Sequence, residues 1–251
     1  MPSFKQIKLK DATLRVAIEG TGPLVIMVHG FPESWYSWRH QMGPIAAAGF
    51  TACAVDVRGY GGSDKPHPVD AYTLECLSGD VAGVIGALSP DAPAIVIGHD
   101  WGAPVAWTTA LVHPEKVRAV AGLSVPYVGI PRRSLTDIIE DSYTRHGRFF
   151  YMHYFAQEGK AEAEMGADVR GALRRLYYCW SGDAPVGAWP LDKKLGDRLL
   201  TRLPDPNPFP GWLSDGDIDY YTKEFEGSGF RGGLNRTYAA GLHTGLKISR
   251  A

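Results

Sequence analysis

Ala94-Ile95-Val96-Ile97-Gly98-His99-Asp100-Trp101-Gly102 is the stretch that decides the fold. Its first four residues form an apolar run without polar alternation, which suits a strand covered on both faces. The glycines at 98 and 102 let the chain turn tightly into a helix beginning at Trp101. A turn of the form Gly-x-nucleophile-x-Gly projects one side chain into a cleft, and here that side chain is Asp100. A carboxylate at this point suits attack on a saturated carbon with formation of an alkyl ester. Aspartate is also a good helix cap, which is the competing reading of Asp100.

Outward from this stretch, Leu24 to Val28, Thr51 to Val55 and Val117 to Leu123 are apolar runs of the same kind. Leu74, Leu77, Val81, Ile85 and Leu88 recur at helical intervals behind Thr73 as N-cap. Trp35 to Ala48 and Trp101 to His113 read as two further helices. Lys5 to Lys10 and Thr13 to Ile18 alternate in hydropathy around Asp11-Ala12, as an antiparallel hairpin at a sheet edge does. Strand and helix in alternation predict an α/β fold: a mostly parallel sheet with an N-terminal antiparallel hairpin and right-handed crossovers. From about Gly129 to Gly229 that rhythm stops. Helical pieces alternate there with Pro-rich loops such as Leu203 to Trp212, and aromatics gather at Phe149 to Phe155 and Tyr177 to Trp180. This stretch reads as a helical insertion covering the edge where the loops sit.

In a chain of 251 residues, 45% are hydrophobic and 21% charged, and 26 Lys and Arg face 27 Asp and Glu. That balance excludes a disordered chain and a basic nucleic-acid-binding domain. The apolar runs are far shorter than the ~20 residues of a membrane-spanning helix. The first ten residues carry no apolar leader, so a cytoplasmic location is expected. Cys53, Cys76 and Cys179 show no CxxC or His-rich spacing and read as reduced packing residues, with neither a disulfide nor a zinc site.

His29-Gly30-Phe31-Pro32 directly follows the run at 24–28. A turn at a strand's carboxyl end can aim the Phe31 N–H at a developing oxyanion, with the Trp101 N–H as its partner. His29, closing a buried strand, reads as structural rather than as a general base.

These two motifs, with Asp56-Val57-Arg58-Gly59-Tyr60-Gly61-Gly62-Ser63-Asp64-Lys65-Pro66, resemble the epoxide hydrolases of the α/β-hydrolase superfamily. The resemblance extends through Tyr151-Met152-His153-Tyr154-Phe155-Ala156-Gln157, Ala161-Glu162-Ala163-Glu164 and Gly229-Phe230-Arg231-Gly232-Gly233-Leu234-Asn235, which look like that family's cap segments. It implies an α/β-hydrolase core at 1–128, a helical cap at 129–230, and a cap exit with an unmatched tail at 231–251. It implies Asp100 as nucleophile, Tyr151 as the first cap tyrosine holding the epoxide oxygen, and Phe31 and Trp101 as oxyanion donors. No metal or organic cofactor is called for. The reaction so implied takes a small apolar or aryl epoxide and water to a vicinal diol. Haloalkane dehalogenases resemble the chain too, but carry a polar residue where it has Phe31. Fluoroacetate dehalogenases follow the nucleophile with Arg, where it has Trp101.

The pattern departs from the family near its end. Family members place a triad acid and a His beyond the cap. After Glu226 this sequence holds no Asp or Glu, and His243 is its one histidine there. The alternative acid position after the sixth strand is occupied by Ser124-Val125-Pro126. Arg236 replaces a usual Trp, and Thr237 stands where the second cap tyrosine is expected, with Tyr238 one residue on. The expectation is a chain whose last core strands are missing, through a frameshift or premature end near Asn235. It would carry out alkylation without efficient release, and its sixth strand would be an exposed edge prone to self-association. A non-catalytic remnant or ligand-binding protein is the alternative reading, and a haloalkane dehalogenase the weaker one.

Overall fold

The structure is a computed structural model that describes residues 2–129 and 133–240, the backbone alone for 237–240. The chain divides between Pro131 and Arg132 into two compact units.

The first unit is built on a six-stranded sheet. Its strands are β1 (Ser3–Lys8), β2 (Thr13–Glu19), β3 (Leu24–Val28), β4 (Thr51–Val55), β5 (Ala94–His99) and β6 (Val117–Leu123), in the spatial order β1-β2-β4-β3-β5-β6. β1 and β2 form the antiparallel hairpin, β2 runs antiparallel to β4, and β4, β3, β5 and β6 run parallel to one another. Every residue of β3 is buried, as its unbroken apolar run requires.

Helices α1 (Arg39–Ala47), α2 (Leu74–Leu88) and α3 (Gly102–Val112) connect the parallel strands. Thr73 caps α2, its hydroxyl accepting the Cys76 N–H. The helix expected from Trp35 to Ala48 is divided: Trp35–Trp38 is a 3₁₀ turn, tightened by the Ser34 hydroxyl accepting the Tyr36 N–H, and α1 follows. α3 starts at Gly102 rather than Trp101, because Trp101 occupies the capping position behind a left-handed Asp100.

β6 departs from the expectation of a strand covered on both faces. None of its residues is buried, and Leu123 is 43% exposed. It pairs with β5 on one side, α3 packs against it, and no strand flanks its other side among the described residues.

The second unit is helical: α4 (Leu135–Ser142), α5 (Tyr151–Phe155), α6 (Lys160–Gly166), α7 (Val169–Cys179), α8 (Asp215–Ser228) and α9 (Arg231–Ala240). α7 buries Ala172, Leu173 and Leu176, spaced as one helical face. It packs on α8, and Arg170 reaches Asp215 at 2.8 Å and Asp219 at 3.0 Å. Ser214 and Asp217 close α8 with a capping box. The Glu164 carboxylate of α6 is buried and accepts the Tyr154 hydroxyl at 2.5 Å and the Leu199 and Leu200 N–H groups at 3.0 Å each. A buried carboxylate so satisfied ties α5, α6 and the loop between α7 and α8 into one body.

Candidate active site

The carboxyl ends of β3, β4 and β5 lie side by side in register, Val28 opposite Val55 and opposite Gly98. The residues that leave the sheet there gather at one edge, where open α/β sheets hold their chemistry.

Asp100 is the sharpest feature of that edge. Its φ of 50° places it in the left-handed region, costly for a residue with a Cβ. The turn is held by close backbone approach on both sides. A Cβ on Gly98 would strike the Gly102 carbonyl, and one on Gly102 would strike the carbonyl of Val28. A Cβ on Gly30 would strike the Asp100 side chain itself. The carboxylate so delivered accepts the Phe31 N–H through Oδ1 at 2.9 Å. The helix behind it has no side-chain bond at its cap. Asp100 and Phe31 are thus brought together across 69 residues of sequence, next to a cis Phe31-Pro32 bond, and Trp101 follows as the first residue after the turn.

His29 is fully buried, and its Nε2 accepts the Val57 N–H at 3.1 Å while Nδ1 lies 2.8 Å from the Gly30 carbonyl. Because Val57 can only donate, the ring proton sits on Nδ1 and points to Gly30. Both nitrogens are engaged in holding the turn, which leaves no lone pair to act as a base. Asp56, also fully buried, pairs with Arg15 and accepts the Trp35 N–H at 3.0 Å, fastening the segment after His29 to the end of β4.

One pair at this edge has no counterpart among the residues singled out by sequence pattern. Glu33 Oε1 lies 2.9 Å from His99 Nδ1, and Glu33 Oε2 is buried without a hydrogen-bond partner among the described residues. Burial works against ionisation of Glu33, but the His99 hydrogen bond and charge outweigh it and hold the carboxyl below its ordinary range. His99 is raised, first by its hydrogen bond to Glu33, against desolvation, and further by the charges of Glu33 and Asp100. The two residues are 66 positions apart, and no local pattern signals their meeting.

Tyr151 belongs to the second unit, at the start of α5, where it touches Phe150, Phe155, Trp180 and Trp189. Tyr154, three residues on, is committed to Glu164, and burial with that hydrogen bond pushes its phenol up to about 12. α5 also borders a cavity of about 390 Å³ lined by Leu135, Ile139, Met152, His153, Ala156 and Leu195 among others. Tyr238 falls in α9, its side chain outside the described residues, as is His243. Among the described residues no group of three or more His, Cys, Asp and Glu could hold a metal ion, and no helix is long and apolar enough to cross a membrane.

Residues 23–157 match the family model of the alpha/beta hydrolase fold. The chain is 39% identical over 245 residues to epoxide hydrolase B of Mycobacterium tuberculosis, an alignment covering 85% of this chain and 68% of that protein. It is 38% identical over 241 residues to epoxide hydrolase A of the same organism, covering 93% and 73%. Among solved structures, an epoxide hydrolase from an endophytic Streptomyces superposes with a TM-score of 0.90 at 41% identity, over 96% of this chain and 72% of the other.

Proposed function

The chain belongs to the epoxide hydrolases of the α/β-hydrolase fold, and from that membership we propose that it opens a small apolar or aryl epoxide through an ester on Asp100. The first unit acts as the hydrolase core and the second as the cap, with boundaries near 128 and 230 and the cap exit beyond. One oxygen of Asp100 attacks the less hindered epoxide carbon and the carbon–oxygen bond breaks. Tyr151 hydrogen-bonds the departing oxygen and supplies the proton that makes it a hydroxyl; a second cap tyrosine at Tyr238 would share this task. Water then adds to the ester carbon, and the charge that develops on the Asp100 carbonyl oxygen is met by the Phe31 and Trp101 N–H groups.

The observation that carries this reading is the left-handed Asp100 with Oδ1 on the Phe31 N–H. That N–H is bound to the oxygen that becomes the oxyanion. The commitment of Tyr154 to Glu164 supports Tyr151 as the donor of its pair. Apolar Phe31 weighs against a haloalkane dehalogenase, which needs a polar group for the leaving halide.

The second half-reaction needs a base to activate water. Within these 251 residues no acid follows Glu226 and His243 is the one histidine after it, so the ester should form faster than it is released. Incubation with styrene oxide followed by mass spectrometry should show the Asp100 peptide heavier by one epoxide, and Asp100→Asn should abolish the adduct. Rapid multiple turnover would refute the stalled ester. No adduct at all would leave a ligand-binding protein without chemistry. The three cysteines carry free thiols, which suits the cytoplasm as the compartment. We place a second copy of the chain on the edge of β6 that no strand flanks among the described residues, whose backbone groups on that side invite a partner strand.

A further inference from the structure

Lys193 is a charge that the proposed chemistry does not use. It is 2% exposed and has no carboxylate within ion-pair distance among the described residues. Its ammonium donates to the Leu199 carbonyl at 2.5 Å and lies 5.6 Å from the centre of the Trp189 ring and 4.9 Å from that of Phe149. Burying an ammonium is costly unless other groups satisfy it, and here the Leu199 carbonyl and two ring faces do so.

The backbone around Lys193 is stitched to the approach to α5. Arg148 and Lys194 form an antiparallel bridge, the Phe149 N–H donates to the Lys193 carbonyl at 3.0 Å, and the Leu195 N–H donates to the Gly147 carbonyl at 3.0 Å. Trp189 is thereby fixed relative to Tyr151, their ring centres 6.2 Å apart and nearly perpendicular at 83°. Trp180, at the end of α7, completes a triangle: it lies 6.2 Å from Tyr151 and 6.1 Å from Trp189, tilted 31° to the latter. Trp180 remains 43% exposed. Neither indole N–H has a hydrogen-bond partner among the described residues.

We infer that Trp180 and Trp189 form a wall beside Tyr151 that receives the substituent of the epoxide and selects flat aryl groups over alkyl chains. The inference rests on the reading of Tyr151 as the group that holds the epoxide oxygen. Sandwiching a ring between two others needs about 7–8 Å, twice the contact distance of carbon atoms. The 6.1 Å between the two indoles is too short for that, so the pair is a wall and not a clamp. A substituent lies against the open face of Trp180. Lys193 acts as a positioning residue, fixing Trp189 through one ring face. An aryl ring gains an offset or edge-on aromatic contact that an alkyl chain of similar area lacks, worth roughly two- to tenfold in selectivity.

The test is a competition on the full chain. Styrene oxide and 1,2-epoxybutane are offered together, and the two adducts on the Asp100 peptide are compared for the wild type, Trp180→Ala, Trp180→Phe and Lys193→Met. The aryl preference should fall roughly two- to tenfold in Trp180→Ala, fall less in Lys193→Met, and be largely kept in Trp180→Phe. An equal ratio in Trp180→Ala and wild type overturns the wall. Should neither epoxide label the wild type, the reaction proposed above fails and the wall is decided by binding of 1-phenyl-1,2-ethanediol, followed by ligand-observed NMR. Weaker binding to Trp180→Ala than to the wild type then upholds it. Equal binding, or none to the wild type, overturns it.

Discussion

His99 Nδ1 lies 2.9 Å from Glu33 Oε1, so the residue immediately before Asp100 is tied to the segment immediately after Phe31 and Pro32. The pair fastens the two sides of the turn that meet at the carboxylate. Its side chains are 37% and 14% exposed, so solvent weakens the attraction. Replacing Glu33 with Gln should cost about 1 kcal/mol of stability, less than a fully buried charged hydrogen bond. It should also return the His99 pKa toward its ordinary value. Thermal melts and an NMR titration of His99 measure the two effects. A His99 pKa unmoved by Glu33→Gln would mean that the contact is electrostatically idle.

The same pair predicts a pH window. The raised His99 stabilises the fold fully below its ordinary value of 6.5, and this is lost as pH rises through its folded value. The lowered Glu33 stabilises above its ordinary value of 4.5, and this is lost as pH falls through its folded value. The two contributions coexist between 4.5 and 6.5. The charge of Asp100 faces this pair and is common to wild type and variant. The difference in melting temperature between wild type and Glu33→Gln should therefore be largest near the middle of that window and shrink toward alkaline pH. A difference constant with pH would remove the ion pair as its source.

Gly98→Ala and Gly102→Ala should each destabilise by about 1–3 kcal/mol or more, because each new Cβ meets backbone that cannot move aside. Gly79→Ala is the control. It lies inside α2 with nothing within 4 Å of its added Cβ, and should stabilise by roughly 0.5–1 kcal/mol. Chemical denaturation of the three variants reads the contrast directly.

Tyr151→Phe keeps the ring against Trp180 and Trp189 but removes the proton donor. Alkylation of Asp100 by styrene oxide should slow by about 10²-fold, the lower end of general acid catalysis. Single-turnover labelling followed by mass spectrometry gives the rate, and an unchanged rate would take Tyr151 out of the chemistry.

Association through β6 is checked by sedimentation. The wild type should run as an oligomer, and a charge placed on the edge by Ala121→Lys should shift it toward the monomer. A monomeric wild type would dispose of this interface.

Elements governed by local pattern are legible in the amino-acid sequence. The runs at 24–28, 51–55 and 117–123 are strands with those bounds, α2 starts behind Thr73 as its spacing requires, and the hairpin stands at the sheet edge. The division of Trp35 to Ala48 into a 3₁₀ turn and α1 is not legible, because apolar spacing does not separate the two helix types over a single turn. Asp100 can be read because glycine spacing encodes its turn. Glu33 with His99, and Lys193 with Trp189 and Phe149, cannot. Each is a meeting of side chains from segments whose distance apart is set by the fold and leaves no period in the chain. The exposure of β6 follows from the same cause, since an apolar run does not say how many neighbours it will find.

The left-handed backbone at Asp100 limits which side chains this position can host. Asparagine and aspartate tolerate that conformation far better than other residues with a Cβ. Exchange to asparagine therefore removes the nucleophile with little change in turn strain, whereas serine or alanine would alter the geometry together with the chemistry. In divergence or in the laboratory, new reactivity should be reached more easily by rebuilding the residues around this carboxylate than by replacing it.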